Sequence, residues 1–352
     1  MKHKLSEICT FFSGGTPSSS NKGFYGGNIA FIRSGELHAD STELFITQDG
    51  FDNSSAKMVE VGDLLLAMYG ATSGEISISK IEGAINQAIL CIRTKYNKKF
   101  IESVWNKHVS KILRKYLQGG QGNLSADIVK GISFSFPTIA EQGRISNLVS
   151  LLDERIATQN KIIEDLKKLK SAISESLFRD IKGDVVMLSE VCEIIKGKQI
   201  NGEFLSEKGK YYVMNGGTEP SGYYSDYNVD AKTISISEGG NSCGYIQFNT
   251  SPFWSGGHCY TIQKIADNVD NLYLYHYLKS KENAIMKLRI GSGLPNIQKK
   301  DLAMFKIKIP TVEQQKAIST FLSSLERKAE IEERIQNAMQ KEKQYLLSQM
   351  FI

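Results

Sequence analysis

Residues 310–351 of this 352-residue chain repeat residues 137–178 without a gap, 173 positions apart. Pro137-Thr138-Ile139-Ala140-Glu141-Gln142 opens the first copy, which closes on Leu177-Phe178. Pro310-Thr311-Val312-Glu313-Gln314-Gln315 opens the second, which closes on Met350-Phe351. Eleven of the 42 pairs are identical, among them Ile145/Ile318, Ser146/Ser319, Leu152/Leu325 and Ile162/Ile335. A period this long implies a duplicated domain-plus-helix unit and excludes a solenoid of short repeats. The chain therefore divides into a domain over 1–136, a helix over 137–180, a second domain over 181–309 and a second helix over 310–352.

Each repeat copy has the pattern of one long helix. In the first, Ile145, Val149, Leu152, Ile156, Gln159, Ile163, Leu166, Lys170, Ile173 and Leu177 recur at alternating steps of four and three. That is a heptad seam interrupted only by Gln159 and Lys170. In the second, Ile318, Leu322, Leu325, Ala329, Ile335, Met339, Leu346 and Met350 form a less regular stripe. Pro137 and Pro310 stand just before the helices, where a missing N–H is tolerated. About 40 helical residues span roughly 60 Å. A helix with one apolar stripe must bury it, and each copy is the obvious partner of the other.

The intervening segments differ in kind. Short alternating runs such as Thr233-Ile234-Ser235-Ile236-Ser237 and Gly244-Tyr245-Ile246-Gln247-Phe248, bounded by glycines, predict short strands and turns. The duplication reaches into them. Leu5-Ser6-Glu7-Ile8-Cys9 matches Leu188-Ser189-Glu190-Val191-Cys192, and Gly70-Ala71-Thr72-Ser73-Gly74-Glu75-Ile76 aligns with Gly240-Asn241-Ser242-Cys243-Gly244-Tyr245-Ile246. Asn123-Leu124 aligns with Asn296-Ile297. Framework residues match while most others differ. The expected class is α+β, with two similar mixed α/β domains and two long helices.

Charge is distributed unevenly. The net +5 lies wholly in the intervening domains, +3 over 1–136 and +2 over 181–309, whereas the helices are neutral. That suits domains meeting a polyanion and helices meeting protein. The N-terminus lacks a signal-peptide pattern and no apolar run reaches membrane-spanning length, so a cytoplasmic protein with no membrane association is expected. Five cysteines without a CxxC pair suggest reduced thiols, neither a disulfide framework nor a zinc site.

The motifs that could carry catalysis are each incomplete. Gly240-Asn241-Ser242-Cys243-Gly244 satisfies G-x-S-x-G, but a nucleophile elbow needs a helix after it, and Tyr245–Phe248 alternates like a strand. A glycine-rich hairpin turn is the expectation. His258-Cys259 has no second cluster at ligand spacing. The glycines at 119, 120 and 122 precede no Lys-Ser/Thr and form no P-loop. None of the six prolines are adjacent, which excludes an amino-methyltransferase site of the Asp/Asn-Pro-Pro-aromatic type. No catalytic, cofactor or metal residues are expected on this chain.

Ser13-Gly14-Gly15-Thr16-Pro17-Ser18 with Tyr25-Gly26-Gly27, Gly62-Asp63-Leu64-Leu65-Leu66 through Gly74, Ile234–Ser237 through Gly244-Tyr245, and the twice-used Pro-Thr-x3-Gln-x2-Ile-Ser block occur here in order. In this combination the chain resembles the specificity subunits of type I restriction-modification systems, over essentially its whole length, though family members commonly run somewhat longer. The resemblance implies two target-recognition domains, each reading half of an asymmetric bipartite site on double-stranded DNA, held apart by two antiparallel helices. It also implies two methyltransferase subunits carrying S-adenosylmethionine and restriction/motor subunits using ATP and Mg, with no cofactor on this chain. Polar and basic residues near the glycine-rich turns are the candidate DNA contacts: Lys22, Arg33, Tyr69, Thr72, Ser73 and Gln87 in the first domain, and Lys198, Asn215, Tyr224, Asn241, Ser242 and His258 in the second. The assembly seam is expected at Ile145, Val149, Leu152, Ile156, Ile163, Leu166, Ile173, Leu177, Ile318, Leu322, Leu325, Ile335, Met339, Leu346 and Met350. The alternative from another class is a non-catalytic helical scaffold with two protein- or glycan-binding domains, which salt-sensitive DNA affinity would separate from a DNA reader.

Overall fold

The computed structural model describes residues 1–116, 123–291, 293 and 295–350. The glycines at 119, 120 and 122 and Phe351 lie outside them. The chain forms two compact units: Met1–Gln159 with the chain from Ile335 onward, and Asn160–Arg334. Both long helices, Ile139–Asp180 and Val312–Met350, therefore contribute to both units.

The first unit holds an antiparallel sheet whose strands run in the order Cys9–Ser13, Ile89–Thr94, Leu64–Ala67, Ile76–Ile78. A second sheet follows the order Phe45–Ile46, Tyr25–Ile32, Gly83–Ile85, Lys57–Val59, with Tyr25–Ile32 parallel to Gly83–Ile85. Lys2–Lys4 pairs with Ser133–Ser135 beside the first long helix. Leu64–Ala67 is buried throughout because it has a core on each face. Leu64 and Leu66 pack with Ile101 and Trp105, while Leu65 and Ala67 pack with Ile32, Val59 and Ile85.

The second unit repeats this plan. Its main sheet runs Glu193–Lys196, Cys259–Gln263, Thr233–Ser237, Ile246–Asn249, and Asp184–Met187 pairs with Lys306–Ile309. A three-stranded sheet, Gly222–Tyr224, Tyr211–Met214, Trp254–Ser255, again contains one parallel pair.

Within each unit the two long helices run antiparallel. In the first, Lys343 pairs with Asp153, and Leu152 shares a groove with Met339. In the second, Lys167 meets Glu333 at 2.6 Å, Lys170 pairs with Glu326, and Phe178, Leu177 and Ile173 pack with Leu322 and Ile318. The repeat makes Lys170 equivalent to Lys343 and Glu326 equivalent to Asp153, so each unit carries one copy of the same ion pair.

Of the expected seam residues, Val149, Ile163 and Leu322 are buried and all but one of the others are half-buried. The exception corrects the sequence reading: Ile335 is 39% exposed, as its repeat partner Ile162 is at 40%. Position 336, equivalent to seam residue Ile163, holds Gln336. The heptad on the second helix is regular, but Glu332, Gln336 and Lys343 occupy seam positions, so a search for apolar residues shifts off register there.

The block that opens each helix proves to be a weld between helix and domain. Thr138 and Thr311 accept the backbone N–H of Glu141 and Gln314, capping the helices after the prolines. Gln142 and Gln315, both fully buried, reach across to the loop before each domain's own helix. Gln315 accepts from Asp270 N at 2.7 Å and donates to Asn268 O and Pro310 O; Gln142 accepts from Asn97 N at 3.4 Å and donates to Pro137 O. Asn97 and Asp270 in turn cap the helices Lys98–Tyr116 and Asn271–Ser280.

Candidate nucleic-acid interface

The glycine-rich turns are the same object in both units. Gly70 and Gly240 have φ of 77° and 75°, and Gly74 and Gly244 both have φ of 89°, a left-handed region where a side chain is strained. Ser73 N bonds to Gly70 O and Cys243 N to Gly240 O, both at 3.1 Å. Gly74 N bonds to Ala67 O and Gly244 N to Ser237 O, both at 2.8 Å. Leu124 N docks on Met68 O in the first unit as Ile297 N docks on Glu238 O in the second. The turn at 240–244 leads into the antiparallel strand Ile246–Asn249, with no helix after it, so Ser242 sits in a hairpin. Beside it, Cys259 is 2% exposed and burial pushes its thiol up to about 11, which removes a thiolate nucleophile. Among the described residues no cluster could hold a metal ion, and no helix is long and apolar enough to cross a membrane.

The candidate contacts fall into two groups. Lys22, Gln87, Lys198, Asn241 and His258 are exposed. Among the described residues no acidic side chain holds Lys22 or Lys198, and Gln87 accepts the Thr16 hydroxyl. Arg33 is exposed but occupied: Nε and Nη2 hold Glu36 at 3.2 and 2.9 Å, an exchange that raises the guanidinium's affinity for its proton through the hydrogen bond and charge of Glu36. A bidentate guanine contact by Arg33 would first have to break that pair.

The remaining candidates are half-buried and serve the turns. Ser73 Oγ donates to Met68 O at 3.0 Å, and the Thr72 and Ser242 carbonyls accept from Glu75 and Tyr245. Tyr69 packs on the first core. Asn215 accepts from His258 N at 3.2 Å, and Tyr224 meets Trp254 edge-on at 5.2 Å.

One cluster escaped the sequence reading. At the tip of strand Thr233–Ser237, Glu238 is only 8% exposed. Its Oε1 takes Lys196 Nζ at 2.6 Å and Tyr260 OH at 3.0 Å, while Oε2 has no hydrogen-bond partner. His258 Nδ1 stands 3.8 Å away. Burial and the neighbouring carboxylate push the Tyr260 phenol well above its ordinary range, so it stays a donor. Glu238 lies two residues before the aligned glycine motif, at a position held by Met68 in the first copy. A carboxylate replacing a methionine at the same strand end is a signal the sequence carried.

Two α+β units with identical turns and different surface chemistry, joined through shared long helices, define a tandem recognition scaffold. The model of the type I restriction modification DNA specificity domain matches residues 1–168 and again 182–341, and the chain belongs to that family. A putative type I restriction enzyme MjaX specificity subunit of Methanocaldococcus jannaschii is 24% identical over 98% of this chain and 91% of its own length. A putative type I specificity subunit of Mycoplasma pneumoniae is 33% identical over 39% of this chain. The match spans 36% of that relative's length and 38% of a Mycoplasma genitalium one. Among solved structures, the type I restriction-modification S subunit from M. genitalium superposes with a TM-score of 0.71 at 17% identity, covering 100% of this chain and 96% of that one, which establishes the shared fold. The scaffold alternative with protein- or glycan-binding domains finds no support in these likenesses.

Proposed function

We propose that this chain is the DNA-reading, non-catalytic subunit of a type I restriction-modification complex. Each unit reads one half of an asymmetric bipartite site through side chains set around its glycine turn. The observation that carries this is the pair of superimposable turns bearing unlike residues, Ala71-Thr72-Ser73 against Asn241-Ser242-Cys243. Two copies of one scaffold with two surfaces serve two different half-sites. Exposed Lys22 and Lys198 supply phosphate contacts, and adjacent polar side chains meet base edges.

Two methyltransferase subunits would dock on the helices, one per repeat copy. The repeat leaves matched apolar side chains in water: Leu148 and its equivalent Phe321 at 41% and 46% exposure, and Ile162 with Ile335. Equivalent exposed patches fit two copies of one partner. Those subunits would bring S-adenosylmethionine, and motor-nuclease subunits ATP and Mg.

The test is to map adenine methylation in a host expressing this chain with its methyltransferase. A bipartite motif is expected, and replacing residues 1–136 by a relative's domain should change one half-site only. A swap that changes both halves would refute two independent readers. Leu148→Asp with Phe321→Asp should release the methyltransferase while DNA affinity of the chain, steeply salt-dependent, persists.

A further inference from the structure

Glu238 presents an unresolved cost. A buried carboxylate oxygen without a donor is unfavourable, and such groups call for an explanation beyond stability. The scaffold does not require this one. Met68, 2% exposed, stands at the equivalent position in the first unit with the same backbone bonds. Met68 N donates to Ala88 O at 2.8 Å, and Glu238 N donates to His258 O at 2.9 Å. Strand register makes the other members equivalent to Ser13 for Lys196, Ala88 for His258 and Leu90 for Tyr260. One unit has thus placed four polar groups where the other has one serine and three apolar side chains, at the base of the same turn.

The cluster has one free end. Lys196 and Tyr260 hold Oε1 and leave Oε2 toward the His258 ring. The His258 backbone is fixed on both sides, by Glu238 N on its carbonyl and by Asn215 Oδ1 on its N–H. Its side chain is 64% exposed, so only the ring is at liberty.

Resting on the DNA reading above, we propose that Glu238 is a positioning residue that fixes the tautomer of His258, and that His258 Nε2 reads a base of the second half-site. A small turn of the ring closes the 3.8 Å gap and lets Nδ1–H donate to Oε2. In its neutral form the ring then shows Nε2 outward as an acceptor, the carboxylate–histidine arrangement by which proteins commonly orient imidazole. An acceptor in the major groove matches the amino group of adenine or cytosine and not the oxygen of guanine or thymine.

The full chain with its methyltransferase, read out by methylation mapping, tests this. His258→Ala, an exposed change that leaves the fold intact, should weaken preference at one base pair of the second half-site about tenfold. Glu238→Met, the first unit's own residue, should do the same. Glu238→Gln is the decisive variant. Lys196 and Tyr260 hold the amide oxygen, so its NH2 faces Nδ1, forces the opposite tautomer and turns Nε2–H into a donor. Preference at that pair should move from adenine or cytosine to guanine or thymine, with the first half-site unchanged. The proposal is overturned if His258→Ala keeps the wild-type motif, or if Glu238→Gln leaves the preference in place or merely abolishes it. A wild-type chain that yields no bipartite motif would instead overturn the DNA reading itself.

Discussion

The main sheets of the two units pair strands in the same order and register, yet the faces turned from the long helices differ completely. In the first unit that face is Leu65, Ala67, Ile89 and Cys91, packed on Ile32, Leu37, Val59 and Ile85. In the second, the equivalent positions are Ser235, Ser237, Cys259 and Thr261, three of them polar and all buried. Asn249, 1% exposed, donates to Ser235 Oγ and Thr233 O and accepts from Tyr212 OH at 3.0 Å. Ser237 donates to Gly216 O. The same strands can close over an oily layer or a hydrogen-bonded polar one, because a buried hydroxyl costs little once it has a partner. The helix-facing layer varies less: Leu64, Leu66, Leu90 and Ile92 are matched by Ile234, Ile236, Tyr260 and Ile262, apolar apart from one phenol, and only at the strand end does buried Glu238 replace Met68.

The units also differ where the helices end. Phe178, 1% exposed, packs edge-on against Tyr273 and Tyr277 at 5.8 and 5.3 Å. The first unit's equivalents, Phe100 and Val104, line a cleft of about 790 Å³ with Met350 and Ile145. Phe351, the repeat partner of Phe178, lies outside the described residues.

The sharpest way to break the comparison is to exchange one layer. Leu65→Ser, the second unit's residue in the first unit's oily face, should cost about 4 kcal/mol from the lost side chain and an unpartnered hydroxyl. The chain has two tryptophans, one in each unit, so fluorescence of Trp105 with Trp254→Phe reports the first unit alone. A loss below ~1 kcal/mol would mean the layers are interchangeable.

Next in size is a pH effect centred on a buried histidine of the second unit. Burial pushes His276 down to about 4, and it is 2% exposed where the first unit has Ser103. The unfolded chain therefore binds the proton more readily, and stability falls as pH drops from about 6.5 towards 4, by about 3 kcal/mol at the lower limit. Denaturation followed through Trp254 should show that loss, and His276→Gln should remove it. A slope that survives the substitution would place it elsewhere.

The welds should rank by geometry. Gln315→Ala strands Asp270 N, Asn268 O and Pro310 O and should cost about 2–3 kcal/mol; Gln142→Ala, whose bond to Asn97 is longer, about 1 kcal/mol. Equal losses by thermal melting would contradict the difference. Smallest of all, Lys170→Met and Lys343→Met remove equivalent, partly exposed ion pairs and should each cost under ~1 kcal/mol, alike within ~0.5 kcal/mol. Unequal values would show that the duplicated pairs no longer act alike.

Residue spacing alone carried the duplication, the heptads and the hairpin at 240–244, because backbone requirements write themselves locally: a glycine for positive φ, a proline before a helix, an apolar residue every three or four positions. Ile335 marks where that reading slipped, since polar Gln336 holds the seam and an apolar neighbour drew the register aside. The alternation Thr233–Ser237 likewise marked a short strand, without saying what its serines would meet. Only the tertiary structure decided that those serines are buried and bonded to Asn249 and Gly216, that Gln142 and Gln315 weld helix to domain, that Glu36 occupies Arg33, and that Lys196, Glu238, His258 and Tyr260 converge. Each of these depends on partners 14 to 47 residues away or on which hydrogen bonds close first, and a polar side chain's role is set by the partner it finds, which local sequence does not record.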